Sequence, residues 1–371
     1  MAGAGHGTVS GVTVRPDPTA ALPAGTPPGP PLTEAELDER LSTPSEALIA
    51  ALAALPGDVA ILGVGGKMGP TLARLARRAA DRADGGRGGR RIVGVSRFSE
   101  PGLRAALDES GVETVAADLL DPAAVSALPE APNVVFMAGR KFGSSGGESL
   151  TWAMNSYVPA LVAGRYAGSR LVAFSSGNVY PLVPVGSGGA SEDLTPQPVG
   201  EYAQSVLGRE RIFEHFSARN GLSVLQLRLN YAIDLRYGIL VDVAQQVFSG
   251  EPVDVTMGHV NVIWQGDANS VALRALALAA APPAVLNLTG PETVSVRWLA
   301  QRFGHLLGRE AQITGQEAPT ALLNNAARSF RHFGYPAVPL ETMMEWVAAW
   351  VSRGARTLGK PTHFQEREGR F

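Results

Sequence analysis

The chain has 371 residues, 45% hydrophobic and 18% charged, with a formal net charge of −2. That length suits one large globular domain or two moderate ones, and the charge balance excludes a bulk electrostatic pull toward nucleic acid or anionic membrane. There is no cysteine, which excludes disulfides, thiolate zinc sites and cysteine nucleophiles and suits a reducing compartment.

Residues 1–32, with PDPTAALPAGTPPGPP at 16–31, offer little apolar surface to bury and read as a flexible arm. They lack the basic start and apolar core of a secretory signal. A helical segment is expected over 33–57. In TPSE (43–46) Thr43 stands as N-cap, Pro44 at the first helical position and Glu46 as capping-box partner. ALIAALAAL (47–55) continues that helix and Pro56–Gly57 ends it.

From residue 58 short apolar runs alternate with helical spacing. VAILGV (59–64), RIVGVS (91–96), VETVAA (112–117), NVVFMAG (133–139), RLVAFSS (170–176) and SVLQLRL (223–229) read as strands. MGPTLARLARRAA (68–80), ESLTWAMNSYVPALVAGRYA (148–167) and EYAQSVLGRERIFEHFSARN (201–220) read as helices. Continuous apolar strands alternating with helices predict an α/β fold, a Rossmann-type doubly wound parallel sheet over 58–230. After residue 230 the alternation loosens. Residues 231–352 read as a smaller mixed C-terminal lobe, and 353–371 as a polar tail. The most apolar stretch, 271–288, is broken by Arg274 and by Pro282–Pro283, so it does not supply a membrane span. The six histidines are scattered without an H-x-x-x-H pair, and no metal site is expected. RADGGRGGRR (82–91) is basic but lacks interleaved aromatics, and reads as a loop rather than an RNA-binding tract.

The first strand runs into ILGVGGKMG (61–69), with Gly63, Gly66 and Gly69 at G-x-x-G-x-x-G spacing. Glycine is 43 of 371 residues, so roughly 0.6 chance matches are expected and the pattern alone is weak. Its position, closing a strand and opening a helix, points to a dinucleotide turn. Glycine there allows a tight turn, close approach to a pyrophosphate and close helix–strand packing, and the helix N-terminus supplies unpaired N–H groups. Lys67 and Met68 lie within the turn. Lys67 stands either near the pyrophosphate or in water. The second strand ends in IVGVSRFSE (92–100), with Ser96 and Arg97 where an acid would bind the ribose of NAD; this favours NADP over NAD.

Further motifs follow in order. They are AADLLDP (116–122), VVFMAGRKFG (134–143), MNSYVPALVAG (154–164), FSSGNVYP (174–181), EYAQSV (201–206), QLRLNYA (226–232), NVIWQGDANSVALRAL (261–276), LNLTGPETVSVRWLAQRFGHLLGR (286–309) and HFGYPAVPLETMMEWVAAW (332–350). Together with the glycine turn they resemble the extended short-chain dehydrogenase/reductase family, the NAD-dependent epimerase/dehydratase group, over about residues 58–352. The resemblance implies a strand order 3-2-1-4-5-6-7 with the C-terminal lobe binding substrate. It makes Asp118 an adenine contact with Leu119 beside it. Met137 replaces the usual His of the strand-four stretch, whose Ala138 and Gly139 would line the cofactor. Lys141 stands where sugar-nucleotide 4-epimerases often carry a lysine. Asn155 would stabilise the active site, and Ser176 and Tyr202 would be the catalytic serine and tyrosine.

The chain departs from the family at one place that matters. A lysine should follow Tyr202 by four residues, and Val206 stands there. In the family that lysine holds the nicotinamide ribose and lowers the tyrosine pKa. A free tyrosine, with a pKa near 10, is a poor base at neutral pH. Because i and i+4 share a helix face, Val206 is expected to point at the site. Either another cation substitutes, with Lys141 or Arg209 as candidates, or the chemistry is altered, or redox chemistry is gone. The implied function is an NAD(P)-dependent oxidoreductase or epimerase acting on a sugar or polyol-like hydroxyl or carbonyl. The alternative is a redox-silent dinucleotide-binding protein with a regulatory or structural role. The expected partners are a small-molecule substrate and a second copy of the chain, paired through helices 148–168 and 200–219. Neither nucleic acid nor membrane is expected, and the location expected is cytoplasmic.

Overall fold

The computed structural model describes residues 29–370 apart from 87 and 142; most of the arm expected over 1–32 lies outside the described residues. Seven strands form one sheet: β1 (Val59–Leu62), β2 (Ile92–Ser96), β3 (Glu113–Ala116), β4 (Asn133–Phe136), β5 (Arg170–Ser176), β6 (Ser223–Leu229) and β7 (Ala284–Leu288). Their spatial order is 3-2-1-4-5-6-7, and every neighbouring pair is parallel. This is the Rossmann-type sheet expected. The period of two along each strand divides its apolar residues between two cores. Val59, Ile61, Val135 and Val172 pack on one face, with helices Glu46–Ala53, Gly69–Ala83 and Gln265–Arg274. Ala60, Leu62, Val134 and Phe136 pack on the other, with helix Val158–Arg165 and with Phe213 of helix Gly200–Asn220.

The C-terminal lobe has a core of its own, built by helices Ile239–Ser249, Val296–Leu307 and Leu340–Ser352. The N-terminal helical segment joins both units. Leu37 and Leu41 of helix Glu34–Leu41 enter the lobe core, whereas Leu48 and Leu52 of helix Glu46–Ala53 cover the sheet. The polar tail packs back onto the lobe. Leu358 N donates to Arg236 O at 2.8 Å, Phe364 is buried in the lobe core, and Arg367 donates to Thr320 O and Oγ1 at 2.7 Å each.

The helix expected to start from Thr43 is capped two residues later. Ser45 is the N-cap of Glu46–Ala53, its side chain accepting from Leu48 N. The Thr43 hydroxyl instead donates back to Glu39 O at 2.7 Å, closing the preceding helix. Ser45→Ala is expected to cost about 1 kcal/mol, the usual loss of an N-cap; denaturant unfolding checks it, and an unchanged midpoint would count against the assignment.

A buried ion pair ties the helix carrying Tyr202 to the sheet. Glu210 meets Arg228 of β6 at 2.7 Å. Ser175 donates to the same carboxylate at 2.5 Å, and Arg228 donates to the Tyr180 hydroxyl at 2.7 Å. Each member is satisfied, which is the condition for burying charge without a large penalty.

Candidate active site

The carboxyl ends of β1, β4, β5 and β6 open onto one cavity of about 400 Å³, lined by residues that include Lys67, Met137, Lys141, Asn155, Ser176, Tyr202, Arg209, Tyr231, Tyr237 and Thr362. This is the crevice beyond the strand ends where α/β sheets bind ligands.

The glycine turn has the shape a pyrophosphate needs. Gly63 has φ +94°, and a Cβ there would lie 2.6 Å from Ala138 N, so only glycine lets β1 turn this close to the chain after β4. A Cβ at Gly69 would collide with the Val64 carbonyl. At Gly66 a Cβ would meet only Gly63 O, at 3.4 Å, which leaves that side of the turn open. The helix that follows, Gly69–Ala83, begins at Met68 with no side-chain cap, so its first N–H groups can face an anion. These residues fit a dinucleotide. Arg97 and Asp118 lie exposed just beyond β2 and β3, outside the cavity. Asp118 accepts from Leu120 N at 3.0 Å, and Leu119 is buried in the core.

Ser176 ends β5 and caps the short turn Gly177–Val179. Its hydroxyl donates to Asn178 Oδ1 at 3.0 Å and hydrogen-bonds Tyr202. Tyr202 sits in the first turn of helix Gly200–Asn220. Burial pushes its hydroxyl above the ordinary tyrosine value, while the Ser176 hydrogen bond and the Arg209 charge act against that rise. At neutral pH Tyr202 is therefore a protonated donor.

Val206 does not face the cavity. It packs among Val179, Tyr180, Met257, Leu322 and Leu323, and is 1% exposed. The expectation that it points at the site is corrected: its short branched side chain is enclosed by apolar neighbours from three other segments. Three residues beyond Val206, and seven beyond Tyr202, the longer Arg209 reaches the cavity. Arg209 donates to Phe174 O at 2.6 Å and to Asn155 Oδ1 at 2.9 Å. Burial lowers its pKa to about 10, which leaves it charged at neutral pH.

Asn155 is fully buried and holds the loop after β4 from both sides. It accepts from Arg140 N and donates to Arg140 O, each at 2.9 Å. Its helix widens to a π turn over Ala153–Tyr157, a distortion frequent at functional sites. Gly139 packs against this clamp, since a Cβ there would lie 2.5 Å from Arg209 Nη2. Lys141 follows, with Nζ 5.8 Å from the centre of the Tyr202 ring.

Sequence reasoning did not name Tyr231, Tyr237 or Thr362. Tyr231 has φ +41°, an uncommon conformation for a bulky residue. Lys67 Nζ lies 3.2 Å from the Tyr237 ring centre. Thr362 comes from the C-terminal segment, held by two bonds to Asp242 Oδ2 at 2.8 and 2.6 Å.

Among known proteins, residues 59–233 match the model described as the NAD dependent epimerase/dehydratase family. No curated sequence matches this chain significantly. Among solved structures, the chain is similar to UDP-glucose 4-epimerase of Thermus thermophilus in complex with NAD, at TM-score 0.65 and 19% identity over 80% of this chain and 99% of that one. It is similar to the dTDP-glucose 4,6-dehydratase DesIV of Streptomyces venezuelae, at 0.66 and 18% over 80% and 97%. UDP-glucuronic acid 4-epimerase of Bacillus cereus gives 0.65 and 16% over 81% and 100%. At these identities the structural likeness speaks for the fold. The match to the NAD dependent epimerase/dehydratase family model spans residues 59–233, just under half of the chain.

Proposed function

We propose that the chain is a dinucleotide-dependent oxidoreductase or epimerase acting on a sugar or polyol-type hydroxyl or carbonyl, with Arg209 as the cation beside Tyr202. The observation that carries this reading is the convergence of Ser176, Tyr202 and Arg209 on one cavity at the mouth of the glycine turn. The amides of 63–69 would hold the pyrophosphate, and Asp118 with Leu119 the adenine. Ala138 and Gly139 would border the nicotinamide end. Bound NAD(P) supplies the hydride acceptor or donor. Ser176 and Tyr202 hydrogen-bond the reacting oxygen. Because burial keeps Tyr202 protonated, its first act is to donate a proton toward a carbonyl oxygen. Arg209 steadies the phenolate so formed, and Asn155 positions both Arg209 and the 139–141 loop.

Arg97, exposed beyond β2 with no acid beside it in SRF, supports NADP over NAD. The exposed Leu150, Trp152 and Tyr157 support a homodimer through helices 148–165 and 200–220. No helix among the described residues is long and apolar enough to cross a membrane, in keeping with the cytoplasmic location we propose.

Titration of the purified protein with NADH and NADPH by fluorescence is the test. Micromolar binding of at least one is expected, with NADPH the tighter, and Gly63→Val is expected to remove it. Failure of both to bind would overturn the reading. The relatives in complex with NAD are named for UDP- and dTDP-sugars, so those sugars are reasonable first substrates.

A further inference from the structure

Among the described residues the cavity is lined by four cationic side chains, Lys67, Arg140, Lys141 and Arg209, and by no carboxylate. The two arginines are each tied by hydrogen bonds to the protein around them. Arg209 is bonded to Phe174 and Asn155, and Arg140 Nη2 donates to Gly143 O at 2.9 Å. The two lysines face one another's charge in a half-buried space. The carboxylate whose charge reaches them, Asp242, lies outside the lining and has one oxygen taken up by Thr362. Like charges brought together away from water raise each other's energy, and an anion between them relieves it.

Position distinguishes this pair from the pyrophosphate cradle. Lys67 leaves the glycine turn, but its ammonium rests on Tyr237 of the C-terminal lobe. Lys141 stands beside the Tyr202 ring. Both therefore belong to the substrate side of the cavity, which Ser176 and Tyr202 also line.

We propose that Lys67 and Lys141 bind an oxyanion carried by the substrate itself, a carboxylate or a phosphate monoester, so that the acceptor is a small acidic sugar or hydroxy acid. This rests on the oxidoreductase reading above for the reaction, although the anion site stands on its own geometry. Burial, reinforced by Lys141 and Lys360 and opposed by Asp242, brings the Lys67 pKa down to about 7. Burial, opposed by Asp242, brings Lys141 down to about 8. Both are charged below those values and neutral above them. Anion affinity should therefore fall as pH rises from 6.5 to 9. The other titratable groups facing the pair are Asp242, Lys360, His363, Tyr202, Tyr231 and Tyr237.

The test is thermal unfolding of the full chain in inorganic phosphate, malonate or D-glucose at constant ionic strength, with and without NADPH. A rise in Tm with phosphate or malonate, absent with glucose, is expected at pH 6.5 and should be much reduced at pH 9. The anion giving the larger rise identifies the source, phosphate monoester or carboxylate. Lys67→Met and Lys141→Met should each abolish the rise while leaving NADPH binding within about threefold. No anion-specific rise in the native chain, or a rise that persists in both variants, overturns the inference. An anion that displaces NADPH, with the dinucleotide also lost in both variants, places the lysines in the cofactor site and overturns it too, leaving the oxidoreductase reading intact. A lysine-dependent rise in a protein that binds no dinucleotide supports the anion site and sinks the oxidoreductase reading instead.

Discussion

Tyr202→Phe is expected to lower turnover by about 10²–10⁴-fold, the usual contribution of a positioned proton donor, while dinucleotide binding and stability hardly change. The stability half follows from the hydrogen bonds. Removing the phenol oxygen leaves the Ser176 hydroxyl its bond to Asn178 Oδ1 at 3.0 Å, so no buried polar group is orphaned, and it is orphaning that makes such deletions costly. The ring keeps its packing against Val206 and its neighbours. The activity half follows from the cavity: Ser176 alone can hydrogen-bond the reacting oxygen but has no acidity to give. Rates followed by dinucleotide absorbance, on whichever sugar gives the highest native rate, with Tm as the control, decide it. Native turnover in Tyr202→Phe would remove the tyrosine from the chemistry.

The sheet was legible because parallel strands buried on both faces are continuous apolar runs. RLVAFSS and SVLQLRL coincide with β5 and β6 to the residue. β7 was not among the strands read from apolar runs, because Ala284–Leu288 follows an apolar stretch interrupted only by Arg274 and Pro282–Pro283. In the fold 271–288 is helix up to Arg274, a tight turn over Ala275–Leu278, and then strand Ala284–Leu288. Nothing local separates a buried helix from a buried strand over such a run. The site was legible in part for a similar reason. Ser176 and Tyr202 sit on the sheet's own strands and helices, and Gly63 in the turn right after β1, where spacing along the chain locates them. Tyr231, Tyr237 and Thr362 reach the cavity from the lobe and the C-terminal segment, and Thr362 does so only because Asp242, 120 residues away, holds it. Val206 shows the limit of helical spacing. A shared face says which way a side chain starts, but three other segments decide what it meets.

Arg209→Met is expected to lower turnover by about 10²-fold or more and to raise the pH at which Tyr202 ionises. The methionine keeps much of the length and apolar bulk while removing the charge. Arg209 opposes the rise of the Tyr202 pKa, so its loss leaves desolvation less opposed and moves the tyrosine limb of the pH–rate profile upward. A merely structural arginine would change stability without moving that limb. Stability should fall by a few kcal/mol, because hydrogen bonds from a charged donor contribute about 1.5–3 kcal/mol each, although shedding a buried charge returns part of that. Asn155 Oδ1 keeps Arg140 N as partner, so the 139–141 loop should hold. Arg209→Lys should retain part of the rate, since it keeps a cation but not the fork that reaches both Phe174 and Asn155. Restoring the family's lysine by Val206→Lys in the Arg209→Met background is not expected to rescue turnover. It would bury an ammonium among Val179, Met257, Leu322 and Leu323, and would cost several kcal/mol instead. Rescue by that lysine, or an unshifted pH profile in Arg209→Met, would show that the arginine is scaffolding and that the position of Val206 still belongs to the catalytic centre.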